Sequence, residues 1–399
     1  MDDRTQLRER LAQLAVEYGA NVQPGQVVNV NAEYGQHELA RTIAALAYRR
    51  GARFVDVWYF DPHVKRARIE HAEESTLDYV PPWYGQRALG LGELHGAHIS
   101  IAGATHPGLL NDLDPARVGR DLLPRVKENF QIINENTSNW LVMPGPTEGW
   151  ARQVHPDADD PLERLWADIT HVTRLDADDP VAAWRERFAQ TGEVGRRLTE
   201  LRLDAVHFEG PGTDLTVGLF PTSIWRNANE TTVDGLDFVP NLPSEELTST
   251  PDPARADGVV RSTRPLVLSD GTLIEGIRVR FEGGRAVEID ADVGGEALRG
   301  RASVDEGARR LGEVALVDRE GRIGPLGTVF YNTLLDENAA SHLALGGAYE
   351  SLVGEEDRGR INRSELHLDF MIGSDEVAVT GLATDGSRMP ILRDGSWQI

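Results

Sequence analysis

Apolar and polar positions follow two different rhythms along this chain. From the N-terminus, helical periodicity alternates with short apolar runs. Helices are predicted over 7–18, 38–50, 64–72 and 114–128, the first two closed by Gly19 and Gly51. Strands are predicted over 27–31, 54–59, 97–102 and 140–144, and the runs at 27–30 and 54–59 are apolar enough to be buried. Two more helices are predicted over 152–175 and 180–201, with the Asp160-Pro161 and Asp179-Pro180 pairs as capping signals. Strand and helix in this order predict a mainly parallel sheet covered by helices.

Near residue 204 the rhythm changes to a period of two. Segments 204–209, 214–219, 276–281 and 286–290 alternate like antiparallel strands, with turns at Gly210-Pro211-Gly212 and Gly283-Gly284 between them. A helix is expected near 295–311. The pattern therefore divides the chain into an N-terminal α/β domain, 1–203, and a β-rich α+β C-terminal domain, 204–399.

Composition narrows the chemistry. The 399 residues carry a net charge of −23, which excludes nucleic acid as a default partner. There are no cysteines, so disulfides, thiolate nucleophiles and thiolate zinc sites are excluded, and any metal must be held by His, Asp and Glu. The first residues lack the apolar core of a signal peptide, and no apolar run reaches membrane-spanning length. A soluble cytoplasmic protein with no membrane partner is expected. No strand end carries a dinucleotide or P-loop fingerprint, and Gly90-Leu91-Gly92 reads as a turn.

The chemistry concentrates in the C-terminal half. The stretch 336–349, Asp-Glu-Asn-Ala-Ala-Ser-His-Leu-Ala-Leu-Gly-Gly-Ala-Tyr, reads as a helix from about Asn338, because Ala and Leu favour helix. On such a helix His342 and Tyr349 would share a face, with Glu337 at its mouth. His367 and Asp369 share one face of a predicted strand, a way to hold a divalent metal or to make a structural His–Asp hydrogen bond. Beside Glu337 and His342, the metal reading leads. Glu245 and Glu246 stand together in a proline-bracketed loop, and Glu313 opens the apolar run 313–317.

Taken together, these segments resemble the aminopeptidase T / AmpS family of metallo-aminopeptidases. The resemblance runs nearly end to end. It is carried by Gly19-Ala20-Asn21-Val22-Gln23-Pro24-Gly25, Gly210-Pro211-Gly212-Thr213-Asp214-Leu215, Asn241-Leu242-Pro243-Ser244-Glu245-Glu246, the two ligand-bearing segments, and 385–395. The resemblance implies a two-metal site of zinc, cobalt or manganese with Glu246, Glu313, Glu337, His342, His367 and Asp369 as ligands. It also implies Tyr349 as a donor to the tetrahedral oxyanion and Glu245, or Glu337 if it is not a ligand, as general base. Thr248-Ser249-Thr250-Pro251 departs from the family's usual Phe-Thr-Ala-Pro, which leaves open which of the two glutamates points inward. The function implied is release of N-terminal residues from short peptides by a homodimer. An amidase acting on non-peptide amides and a non-enzymatic, metal-stabilised binding protein are the alternatives.

Overall fold

The computed structural model describes residues 3–121, 123–124, 126–268 and 272–399. The chain forms two compact units, residues 1–184 with 228–243, and residues 185–227 with 244–399. This division differs from a single boundary near 204. The last long helix, Pro180–Glu200, already contributes most of its length to the second unit, and a later segment returns to the first.

The first unit holds a four-stranded sheet of β1 (Val27–Glu33), β2 (Phe54–Phe60), β3 (Ala97–Ala102) and β4 (Asn139–Pro144), in the order β2-β1-β3-β4. Every pairing is parallel, with Val28 opposite Val55 and Ala97, and Ile99 opposite Leu141. The expected α/β architecture is therefore present. The helix His37–Arg49 buries Leu39, Ala40, Ile43 and Ala47 along one face and stops where Gly51 takes a φ of 95°.

Two expected helices and one expected turn differ in detail. The 152–175 helix is two, Glu148–Val154 and Pro161–Val172, the second starting at Pro161 with Asp160 accepting from the Glu163 N–H. The 114–128 helix is likewise two, Pro115–Arg120 and Lys127–Asn134. Gly90 and Gly92 lie within a further helix, Pro82–Glu93, rather than in a turn. A Cβ on Gly85 would sit 2.4 Å from the Glu128 side chain, and one on Gly92 would sit 2.8 Å from Ile132. Those glycines let this helix approach Lys127–Asn134 closely.

The second unit is strand-rich, as the period of two predicts. Among the described residues it contains an eight-stranded antiparallel sheet and a four-stranded antiparallel sheet. The smaller sheet comprises β5 (Glu246–Ser249), β6 (Leu311–Val317), β7 (His342–Gly346) and β8 (His367–Met371), in the order β8-β7-β6-β5. One of its faces presents Leu247, Val314, Leu316, Leu343, Leu345, Leu368 and Phe370 to the hydrophobic core. The other face carries the chemistry.

The helix expected from Asn338 is absent. Glu337–Ala339 makes one 3-10 turn, Ala340 is extended (φ −161°, ψ 157°), and His342 opens β7. Local propensity for helix loses here to sheet pairing on both sides, with β6 and with β8. The Ser341 hydroxyl accepts from the Val317 N–H at 3.0 Å, which draws the chain into the sheet just before His342.

Candidate metal centre

Cross-strand register builds the site. Residues directly opposite each other on neighbouring strands point to the same face. One rung reads Thr248–Ala315–His342–Met371, and the next joins Glu313, Ala344 and Asp369. Glu246 stands opposite Val317, and His367 opposite Gly346. Each strand thus supplies a ligand-type side chain to one face, and Ala315, Ala344 and Gly346 keep the space between them open. Gly346 has a φ of 109°, and a Cβ there would lie 2.1 Å from the Leu366 carbonyl oxygen.

Two ligand groups result. Glu246, Glu313 and His342 bring one donor atom each within 4.8 Å of one another, and so do Glu313, His367 and Asp369. Glu313 belongs to both. His342 Nε2 is 3.1 Å from Glu246 Oε2, and His367 Nε2 is 3.2 Å from Glu313 Oε2 and 3.5 Å from Asp369 Oδ1. His342 Nδ1 lies 3.1 Å from the Ala340 carbonyl and His367 Nδ1 lies 2.8 Å from that of Gly347. A carbonyl only accepts, so each Nδ1 carries the proton, and in the neutral ring each Nε2 lone pair faces carboxylate oxygens.

Lone pairs facing lone pairs need a cation between them. Glu246 Oε2 and Asp369 Oδ1 are buried and accept no directed hydrogen bond from the described residues. Without an ion, protons fill the role. Burial disfavours a charged His342, yet Glu246, Asp369 and Glu313 outweigh it and push the imidazole up to about 10. Burial likewise disfavours a charged His367, but Tyr349, Asp369 and Glu313 outweigh it and raise the imidazole well above its ordinary value. Burial, then the neighbouring Asp369 and Glu246, hold the Glu337 carboxyl well above the usual carboxylate range. Burial also raises Glu246, while Asp369 is lowered because His367 outweighs its burial. An oxygen and imidazole donor set without thiols fits zinc, cobalt or manganese.

The remaining predicted residues have distinct positions. Glu337 lies outside both ligand groups but within electrostatic reach of Glu246, Glu313 and Asp369. Tyr349, in the loop after β7, is 46% exposed, and its ring centroid is 5.3 Å from that of His367. It approaches the site through this loop and not along a shared helix face with His342.

Glu245 is not a free carboxylate. Arg187 Nε donates to its Oε2 at 2.6 Å, and the Arg322 N–H donates to its Oε1 at 3.2 Å. Asp318 accepts both terminal nitrogens of the same guanidinium, at 2.8 and 3.1 Å. The Glu245 N–H donates to Asn338 Oδ1 at 2.6 Å, tying the paired glutamates to the turn that carries Glu337. The doublet is thereby sorted: Glu246 faces the ligand groups and Glu245 faces Arg187. Sequence reasoning gave no role to Arg187 or Thr248. Thr248 had a signal, since it stands two residues from Glu246 on a strand; Arg187 had none.

The chain matches the thermophilic metalloprotease (M29) family over residues 4–397. It is 42% identical to aminopeptidase T of Thermus aquaticus, with both chains covered in full, and 36% identical to aminopeptidase AmpS of Bacillus subtilis, again over both full lengths. The solved structure of wild-type AmpT from Thermus thermophilus superposes with a TM-score of 0.91 at 40% identity, covering 99% of each chain. The chain therefore belongs to the thermophilic metalloprotease (M29) family, whose members are hydrolases of peptide bonds.

Proposed function

We propose that this protein is a metal-dependent aminopeptidase that releases N-terminal residues from short peptides at a two-metal centre. The observation that carries the two-metal reading is Glu313, one carboxylate common to two three-residue ligand groups. A carboxylate common to both groups would let the chain hold two divalent ions as neighbours, the arrangement that two-metal hydrolases use. Glu246 and His342 would hold one ion, and His367 and Asp369 the other.

When bound, the ions supply a Lewis acid for the scissile carbonyl and lower the pKa of an attacking water. The protein's own groups do the rest. Glu337, whose carboxyl is raised by burial and by its acidic neighbours, accepts the proton from the attacking water and passes it to the leaving amine. The Tyr349 hydroxyl donates to the developing oxyanion, and its exposure leaves it within reach of an incoming peptide. The Nδ1–H bonds of His342 and His367 to backbone carbonyls fix both rings with Nε2 inward. Glu245 serves by position: pinned by Arg187, it presents Glu246. Cytoplasmic location and a homodimer are the further parts of this proposal, and they rest on the family resemblance. Among the described residues no helix is long and apolar enough to cross a membrane.

The test is hydrolysis of leucyl-p-nitroanilide by chelator-stripped protein, with zinc, cobalt or manganese restored singly and His342→Ala as control. Metal-restored cleavage that the control lacks supports the proposal. Cleavage of a blocked amide but not of a free-amine substrate would instead identify an amidase, and bound metal without cleavage of either would identify a binding protein.

A further inference from the structure

The carboxylate shared by the two ligand groups is itself held. Thr248 Oγ1 donates a hydrogen bond to Glu313 Oε1. Thr248 lies on β5 opposite Ala315, so its side chain projects from the same face as the ligands. Its backbone is fastened on the other side, where the Arg226 N–H donates to the Thr248 carbonyl at 3.0 Å and the Thr248 N–H donates to the Arg226 carbonyl at 2.9 Å. Threonine is branched at Cβ, which leaves χ1 few choices on a strand. The hydroxyl is therefore aimed by a stiff side chain on a backbone paired at both edges.

A carboxylate that serves two ions must keep both oxygens in one plane and one orientation. Rotation about its last bond would misplace a donor for each group at once. Each carboxylate oxygen offers more than one lone pair, so Oε1 can accept from Thr248 and still coordinate. A hydrogen bond to a carboxylate acceptor is also among the stronger kinds.

We propose that Thr248 is a positioning residue of the metal centre, its hydroxyl fixing the Glu313 carboxylate so that both ligand groups are formed together. This rests on the two-metal reading above. Because the contact acts through the shared ligand, its loss weakens both ions in parallel rather than one of them.

The experiment is a cobalt(II) titration of the chelator-stripped full chain, followed by visible absorption, for wild type, Thr248→Val and Thr248→Ser. Valine keeps the branched shape and removes the donor; serine keeps the donor. The expected result is binding about 10–100-fold weaker in the valine variant for both ions, with serine restoring most of the affinity. A urea midpoint of the metal-free protein separates a merely structural role, which would lower the midpoint and leave cobalt affinity unchanged. Should the valine variant not fold, Thr248→Ala against Thr248→Ser carries the same comparison. A valine or alanine isotherm that overlays wild type, or a serine variant no better than valine, overturns the role of Thr248 alone. A wild type that takes up no cobalt overturns the two-metal reading and this inference with it.

Discussion

Two acidic clusters lie side by side in the second unit, separated by a single peptide bond between Glu245 and Glu246, and they solve opposite problems. Around Arg187, two buried carboxylates meet one guanidinium. Backbone N–H groups of Glu320, Gly321 and Arg322 and the Trp397 indole add further donors. Every charge there has its partner within the protein. On the ligand face, among the described residues, Glu246, Glu313, Asp369 and the nearby Glu337 meet two imidazoles and the Thr248 hydroxyl, and two buried oxygens lack a directed donor. Burying charge is costly unless it is compensated. The first cluster is compensated by the sequence itself; the second awaits something from solution. This difference separates a structural network from a binding site more sharply than acidity does.

The largest effect that would sharpen the contrast is loss of activity. Chelation, or His342→Ala, should take peptide cleavage to background, and only the chelated wild type should recover when metal returns. Glu337→Gln comes next. It should lower kcat by about 10²–10⁴-fold, as loss of a general base does, with metal content by elemental analysis unchanged. The same variant should raise the thermal midpoint of the metal-free protein above neutral pH, because one repelling buried charge is gone. A drop in that midpoint would break the comparison.

The partner prediction concerns the other cluster. Arg187→Met leaves Glu245 and Asp318 buried without their cation and should cost about 3–5 kcal/mol of stability, read from urea melts with and without metal. Removing one charged group thus raises stability on the ligand face and lowers it around Arg187. A midpoint for Arg187→Met equal to wild type would show that the network is not compensating charge.

Metal affinity should also follow pH. In the metal-free protein, nearby carboxylates hold the His342 imidazole protonated up to about 10, well above its ordinary value. The raised value means that the stability contributed by this pairing is present below the unfolded pKa of about 6.5 and is lost as pH rises through about 10. Metal binding must expel that proton, so affinity should rise with pH between about 6.5 and 10, with proton release measurable by calorimetry in buffers of different ionisation heat. Affinity that is flat over this range would contradict protonated imidazoles in the empty site. The smallest effect is expected at Thr250, whose hydroxyl donates to the Tyr349 carbonyl at 2.9 Å. Thr250→Val should raise KM or lower kcat modestly, without altering metal content.

Much of this was legible in the residues. The parallel sheet followed from apolar runs punctuated by glycine-stopped helices, and those runs are β1 to β4. The absence of cysteine restricted the ligand types before any geometry was known. The stretch 342–346 was misread because Ala and Leu favour helix, although His342, Ala344 and Gly346 alternate with Leu343 and Leu345 in the period of a strand. Once β7 is a strand, the same alternation appears in β6 and β8, and the ligands fall on one face. The Glu245–Glu246 doublet was beyond reach of local reasoning. What sorts it is Arg187, 58 residues upstream, on a helix whose pattern gives no hint of that contact. Side chains chosen by distant partners leave little trace in their own neighbourhood.

The most direct test of a centre built around Glu313 is anomalous diffraction from crystals of the zinc-loaded protein, collected at the zinc edge. Two peaks about 3.5–4 Å apart, one beside Glu246 and His342 and the other beside His367 and Asp369, with Glu313 between them, are the predicted result. A single peak, or two peaks that do not share Glu313, would contradict it.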